Sequence, residues 1–368
     1  MVQSQIMFEN RVKKLKEQIA KDKLDAVLVS SVSNIEYLTG YSNFSKDERE
    51  AYIFVGKFFG YIITDGRYSE AIRIQVPHLK LFERGHQKKT SDLFKKHQKE
   101  IKNLGIEEDN LTVSEHKELK KHFKNIQHFD AGSLRSIKTQ EEISKIEKAC
   151  KIGDLAFDYI LEKIKTGITE KEIAKELENF IKNKGAVISF PSIVAFGKNS
   201  SVPHHQTGDK RLTIDDKLIL LDFGVKIDGY CSDMTRTVFF GKPTEKQREI
   251  YETVLEAQKR AVDFVNKQIK NGKIIKAKDV DKIARDYIKS VGFPDIPHSL
   301  GHGIGLEVHE HPNLSPKSKD ILKEGMVFSI EPGIYIQGEG GVRIEDLFVL
   351  EKGVLRKLTH ASVEPEIT

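Results

Sequence analysis

Residues Leu218 to Thr237 read LILLDFGVKIDGYCSDMTRT. An aliphatic run leads straight into Asp222, and a second aspartate, Asp233, follows on the far side of Asp228-Gly229. Aspartate is a poor strand former and is seldom buried without a partner. Asp-Gly between two strand-like runs is a strong signal for a two-residue hairpin turn. With an even loop, residues whose numbers sum to an odd value share a face. Asp222 and Asp233 satisfy that rule, as direct or diagonal neighbours. Two carboxylates so placed repel, and in a low-dielectric setting one of them must take up a proton. A divalent cation removes the conflict, because carboxylate oxygens are its natural hard ligands.

The device recurs downstream. MVFSIEPGIYI (326–336) places Glu331 after an apolar strand, and GGVRIEDLFVL (340–350) places Glu345 inside another. Here the two numbers sum to an even value. A shared face therefore requires an odd loop or a bulge, which Gly338, Gly340 and Gly341 permit. Arg343, two residues before Glu345, falls on the same strand face. Between the acidic pairs, PHSLGHGIGLEVHEHP (297–312) carries His298, His302 and His309 in a segment too rich in glycine for one long helix. Neutral imidazole is the commonest metal-ligating side chain.

The rest of the chain sets the frame. A length of 368 residues exceeds one ordinary core, so two domains are expected, 1–133 and 134–368. Sixty basic against 55 acidic residues leave a net charge of only +5, which gives no argument for nucleic acid or a membrane surface as partner. Cys150 and Cys231 are the only cysteines, too few for a disulfide framework or a Cys-rich zinc site. The N-terminus, MVQSQIMFENRVKK, has no apolar region of signal type, and no run approaches a bilayer span. The cytoplasm is the expected place of action.

Phe8, Val12, Leu15 and Ile19 mark an amphipathic helix, DAVLVS (25–30) a strand, and YIFVG with GYIITD a hairpin turning near Lys57 to Gly60. Residues 91–125 are lysine-rich and read as helical at best. His86, His97, His116, His122 and His128 show no ligand spacing and read as solvated. From 139 onward the order is helices, strands, helices, strands. Capping boxes open helices at Thr139-Glu142, Thr169-Glu172 and Thr244-Gln247, and two helices stop at Gly185 and Gly292. The fold class is α+β, with two halves of similar plan in the second domain.

These motifs carry a family resemblance over nearly the full length. LTGYSNFSKDEREAYIFVG and ITDGRYSEA resemble a creatinase-like N-terminal α/β domain. PSIVAFGKNSSVPHH, LLDFGVKIDGYCSDMTRT, HSLGHGIGLEVHEHP, SIEPGIYI and GVRIEDLFVL resemble the catalytic domain of the pita-bread metallopeptidases, the family of prolidase, aminopeptidase P and methionine aminopeptidase. The resemblance implies two divalent ions held by Asp222, Asp233, His302, Glu331 and Glu345, with Asp233 and Glu345 bridging. Oxygen-rich ligation with one imidazole favours Mn²⁺, with Co²⁺ and Zn²⁺ as alternatives. It further implies Glu331 as general base, Arg343 orienting a carboxylate, His309 serving the reacting carbonyl or its proton, and His204 lining the substrate site, with the adjacent His205 as the other candidate. His298 is expected to contact substrate, and Phe190 and Tyr335 to wall a proline pocket.

The expected substrates are proline-containing peptides, which general peptidases handle poorly because proline lacks the amide N–H. By resemblance, dipeptidases place an arginine just after the VHE-x-P motif, where this chain has Asn313. That favours an Xaa-Pro aminopeptidase, with Xaa-Pro dipeptidase as the alternative and a non-catalytic binding protein as a third reading. The assembly expected from the family is a homodimer.

Overall fold

Asp228 and Gly229 have φ of 52° and 84°, the positive values that a type I′ turn requires at both central positions. Ile227 pairs with Tyr230 across the turn. Strands Leu218–Phe223 and Met234–Phe239 continue in the same register, with Thr235 opposite Asp222. Asp233 therefore lies diagonal to Asp222 on one face. Gly224, opposite Asp233, is a site of close approach: a Cβ there would come within 2.1 Å of Ser232 O and Ser189 Oγ.

The second acidic pair is brought together by an odd loop. Val327–Ile330 pairs with Asp346–Glu351, Ile330 facing Asp346. Gly333–Ile336 pairs with Gly340–Arg343, and the residues left between Ile336 and Gly340 make a three-residue loop with Gly338 at φ 84°. The register is the same on both sides of the break, so Glu331 stands opposite Glu345.

In this computed structural model, which describes residues 2–364 and 366, those hairpins belong to a unit that begins at Ser136; a separate unit ends at Arg135. The later unit has two halves. Helices Gln140–Leu161 and Glu170–Asn183 pack with the first hairpin strands around Phe157, Leu177, Phe196 and Leu221. Helices Glu245–Lys270 and Ala277–Ser290 pack with the second set around Val254, Val280, Phe328 and Val342. All three capping boxes form, each threonine hydroxyl accepting from the backbone N–H three residues on. Gly185 and Gly292, at φ 76° and 96°, follow the ends of their helices, as glycine past a helix end commonly does.

The earlier unit is a six-stranded mixed sheet. Its spatial order is Lys80–Arg84, Phe59–Asp65, Tyr52–Gly56, Ala26–Val29, Asn103–Ile106, Asn125–His128. The amphipathic helix is Val2–Lys21, with Leu15 and Ile19 buried. Two sequence expectations need correction here. Residues 91–125 include a strand, Asn103–Ile106, which pairs in parallel with Ala26–Val29 and is too short and polar-flanked to show a period. His97 is buried, its ring 4.1 Å from that of Phe59, and the His122 ring packs beside Phe94 and Phe123. Helix Thr90–His97 turns Leu93, Phe94 and His97 inward together. These two histidines are core residues of an aromatic cluster.

Candidate metal centre

The acidic residues converge. Asp233, His302 and Glu345 each offer a ligand atom, and those atoms all lie within 4.8 Å of one another. His302 Nε2 is 3.6 Å from Asp233 Oδ2, 3.3 Å from Glu331 Oε1 and 4.0 Å from Glu345 Oε1. His302 Nδ1 donates to Gly303 O at 3.1 Å. That bond selects the tautomer whose Nε2 lone pair faces the carboxylates. Burial lowers the His302 pKa, keeping the ring neutral and able to ligate.

Asp222, Asp233 and Glu345 are all buried. Burial, reinforced by the neighbouring carboxylates, holds the Asp233 and Glu345 carboxyls well above the usual range. Burial likewise pushes Glu331 up to about 8. Asp233 Oδ1 and Glu345 Oε1 have no hydrogen-bond partner among the described residues. A buried acceptor without a donor is costly, and two of them beside a neutral imidazole nitrogen form a donor set that divalent cations satisfy. The residues present fit the two-ion group that the family resemblance implies.

A hydrogen-bonded frame supports them. Arg343, buried, donates from Nη2 to Asp222 Oδ2 at 2.5 Å, from Nε to Thr235 Oγ1 at 3.0 Å and from Nη1 to the Tyr335 hydroxyl at 2.9 Å. Thr235 Oγ1 in turn donates to Glu345 Oε2 at 2.7 Å. Ser329 Oγ donates to Glu331 Oε1 at 3.1 Å and accepts from the His302 backbone N–H at 3.0 Å. Behind Glu345, the fully buried Arg236 donates to Glu345 O, Thr235 O and Asp346 Oδ1. Thr235, Ser329, Arg236 and Asp346 were not singled out by the sequence reading. Thr235 and Ser329 sit on site-facing strand positions, two residues from Asp233 and Glu331, and that spacing was the available signal.

The other candidates fall around this core. His298 has both ring nitrogens engaged, Nδ1 with Ser299 O at 2.8 Å and Nε2 with the Tyr335 hydroxyl at 2.8 Å. One of these hydrogen bonds fixes the Tyr335 hydroxyl and the other the ring's own backbone segment. Burial pushes His298 down to about 4 and Tyr335 up to about 12. The His309 ring packs edge-on against His302, centroids 4.4 Å apart. Burial and the proximity of His302 and His204 lower its pKa. His204 is exposed and near enough to influence both His298 and His309, whereas His205 turns away to Glu170. Phe190 is half-buried beside Gly224. Asn313 is exposed on the strand opposite His302.

Fold and site together define a two-domain metallopeptidase. The chain belongs to metallopeptidase family M24, whose model matches residues 144–352, and carries a creatinase/prolidase N-terminal domain over residues 11–137. It is 40% identical to an Xaa-Pro dipeptidase of Pyrococcus horikoshii over 97% of this chain and 99% of the relative. Among solved structures, an Xaa-Pro dipeptidase from Bacillus anthracis superposes with a TM-score of 0.86 at 35% identity, covering 97% of this chain and 99% of that one. An X-Pro aminopeptidase from Thermotoga maritima superposes with a TM-score of 0.78 at 32% identity, covering 96% and 99%. These likenesses favour the dipeptidase alternative over the aminopeptidase reading drawn from Asn313. No helix among the described residues is long and apolar enough to cross a membrane.

Proposed function

We propose that the protein is an Xaa-Pro dipeptidase that hydrolyses the bond between a residue and a C-terminal proline. The observation that carries this reading is the buried Asp233–His302–Glu345 cluster with its two orphaned carboxylate oxygens, on a chain alike over nearly its whole length to dipeptidases of that class. Asp222, Asp233, His302, Glu331 and Glu345 would hold two divalent ions. We take Mn²⁺ as the first choice on its preference for oxygen ligands, with Co²⁺ and Zn²⁺ as alternatives. When bound, the ions supply Lewis acidity and lower the pKa of water.

The chain's own groups do the remaining work. Arg343 holds Asp222 in one orientation, and Tyr335 and His298 hold Arg343. Thr235 orients Glu345 and Ser329 orients Glu331. Glu331 takes the proton of the attacking water and returns it toward the proline nitrogen as the C–N bond breaks. The OH remains on the carbonyl carbon, and the proline leaves as a secondary amine. His309, held neutral, has an N–H to offer the carbonyl oxygen. We assign His204 to the substrate side of the same group, and Phe190 and Tyr335 to the walls around the proline ring. The reading also takes the family resemblance through to a cytoplasmic homodimer, which sedimentation of the full chain tests.

Comparison of kcat/KM for an X–Pro dipeptide and an X–Pro–Y tripeptide tests the substrate. The dipeptide is expected to win by at least tenfold, about 1.4 kcal/mol of transition-state binding. Asn313, which supplies no charge for a free C-terminal carboxylate, favours the second reading, an Xaa-Pro aminopeptidase. A tripeptide preference would establish it instead.

A further inference from the structure

The three helices that open on the capping boxes legible in the sequence, at Thr139, Thr169 and Thr244, differ in one respect. Gln140 and Glu245, the first residues of two of them, are exposed, as a polar residue at a helix N-terminus ordinarily is. Glu170, first residue of the third, is fully buried. A buried carboxylate is costly unless its lone pairs are filled. Here Oε1 accepts from Phe196 N–H at 2.9 Å and Asn199 Nδ2 at 2.7 Å. Oε2 accepts from Gly208 N–H at 3.0 Å and His205 Nε2 at 2.9 Å. All four donors come from one loop, 196–208. His205 is the one ionisable side chain among the described residues that pairs with this carboxylate.

The other flank of the loop is held by the hairpin that carries Tyr335 and Arg343. Gly341 N–H donates to Ser200 Oγ at 2.8 Å, and Arg343 Nη1 reaches Pro203 O at 3.4 Å. His204 lies between Pro203 and His205, and its own side chain makes no hydrogen bond among the described residues. Its place beside His298 and His309 is inherited from its held neighbours.

We propose that Glu170 and His205 form a buried latch that fixes the 196–208 loop and thereby sets the position of His204. Both are positioning residues for the reaction, and this role rests on the dipeptidase reading above. Glu170 supplies the anchor, and His205 is the loop's one ionisable hold on it.

The test combines His205→Leu, which removes the donor, His205→Gln, which retains one, and each change in a His204→Ala background. His205→Leu should lower kcat/KM on an X–Pro dipeptide by about tenfold to a hundredfold, the scale of a small misplacement near the reacting centre. His205→Gln should recover most of the loss, and metal content should stay at the wild-type value. In the His204→Ala background the His205→Leu loss should largely vanish, because coupled residues are non-additive. An equal loss in both backgrounds would overturn the proposal. Hydrogen exchange of the loop amides, Phe196 and Gly208 included, gives a readout independent of substrate. Faster exchange in His205→Leu supports the latch, and unchanged exchange overturns it. Absence of any X–Pro activity in the wild type would count against the dipeptidase reading, and the exchange result would still decide the latch.

Discussion

Metal uptake at neutral pH should release protons from this site, and their number follows from the structure. Four carboxylates, Asp222, Asp233, Glu331 and Glu345, share the site with one guanidinium. Asp222 is paired with the Arg343 guanidinium. His302 is already neutral, with its Nε2 lone pair presented, and contributes none. Glu331, pushed up to about 8 by burial, is about 0.9 protonated at pH 7 in the metal-free protein. Asp233 and Glu345, held well above the usual range, add up to one proton each. Because ligands must be deprotonated to bind, loading the site should release at least about one proton per chain at pH 7, the Glu331 share, and at most about three. The Glu331 share should fall by about 0.8 proton between pH 7 and pH 9. Calorimetric titration of chelator-treated, dialysed protein with Mn²⁺, repeated in buffers of different ionisation enthalpy, reads the number directly. Release of less than one proton at pH 7 would refute the assignment of these carboxylates as a mutually repelling, cation-seeking set.

Asp233→Asn should lose at least one ion and at least about a hundredfold in kcat, given that even groups supporting a metal ligand are worth 10–100-fold; metal analysis and steady-state kinetics check it. Asp346→Asn leaves Arg236 buried without its partner, and should destabilise the fold by about 3–5 kcal/mol in denaturant titration. Tyr335→Phe removes the link between Arg343 and His298 and should lower kcat by about tenfold with metal content unchanged, on the scale of one buried charged hydrogen bond. In the metal-free protein the Glu331 carboxyl is raised from 4.5 to about 8. Its contribution to stability is therefore full below about pH 4.5 and is lost as pH rises through 8. From pH 7 to 9 this one group removes about 1.4 kcal/mol. The gap in Tm between metal-loaded and metal-free protein should widen over that interval; a constant gap in thermal melts would contradict the burial argument.

Local signals were legible in the sequence because their causes are local. The Asp228-Gly229 turn, the three capping boxes and the amphipathic N-terminal helix each depend on a few adjacent residues, and each formed as read. The parity of residue numbers placed Asp222 with Asp233, and it showed that Glu331 and Glu345 needed an odd loop, which residues 337–339 provide. The five candidate ligands could be named because acidic residues at the ends of apolar strands are conspicuous, and because the motifs resemble a known family. The burial of His97 was not legible, since a lysine-rich helix hides which of its faces turns inward, nor was that of His122, which lies in the turn after helix Val113–Leu119. Nor was the strand Asn103–Ile106, whose pairing partner lies far back in the chain.

The chemistry of the donor set, then, was determined by the sequence alone: hard oxygen ligands with one imidazole, on paired strands, in a chain of two domains. The tertiary structure decided which groups hold those donors in place. Thr235 reaches Glu345 across 110 residues, Arg343 reaches Asp222 across 121, and Glu170 gathers a loop that begins 26 residues on. Spacing along a chain specifies a turn or a face, but a hydrogen bond between distant segments exists only once the cores of both halves have packed and brought them together.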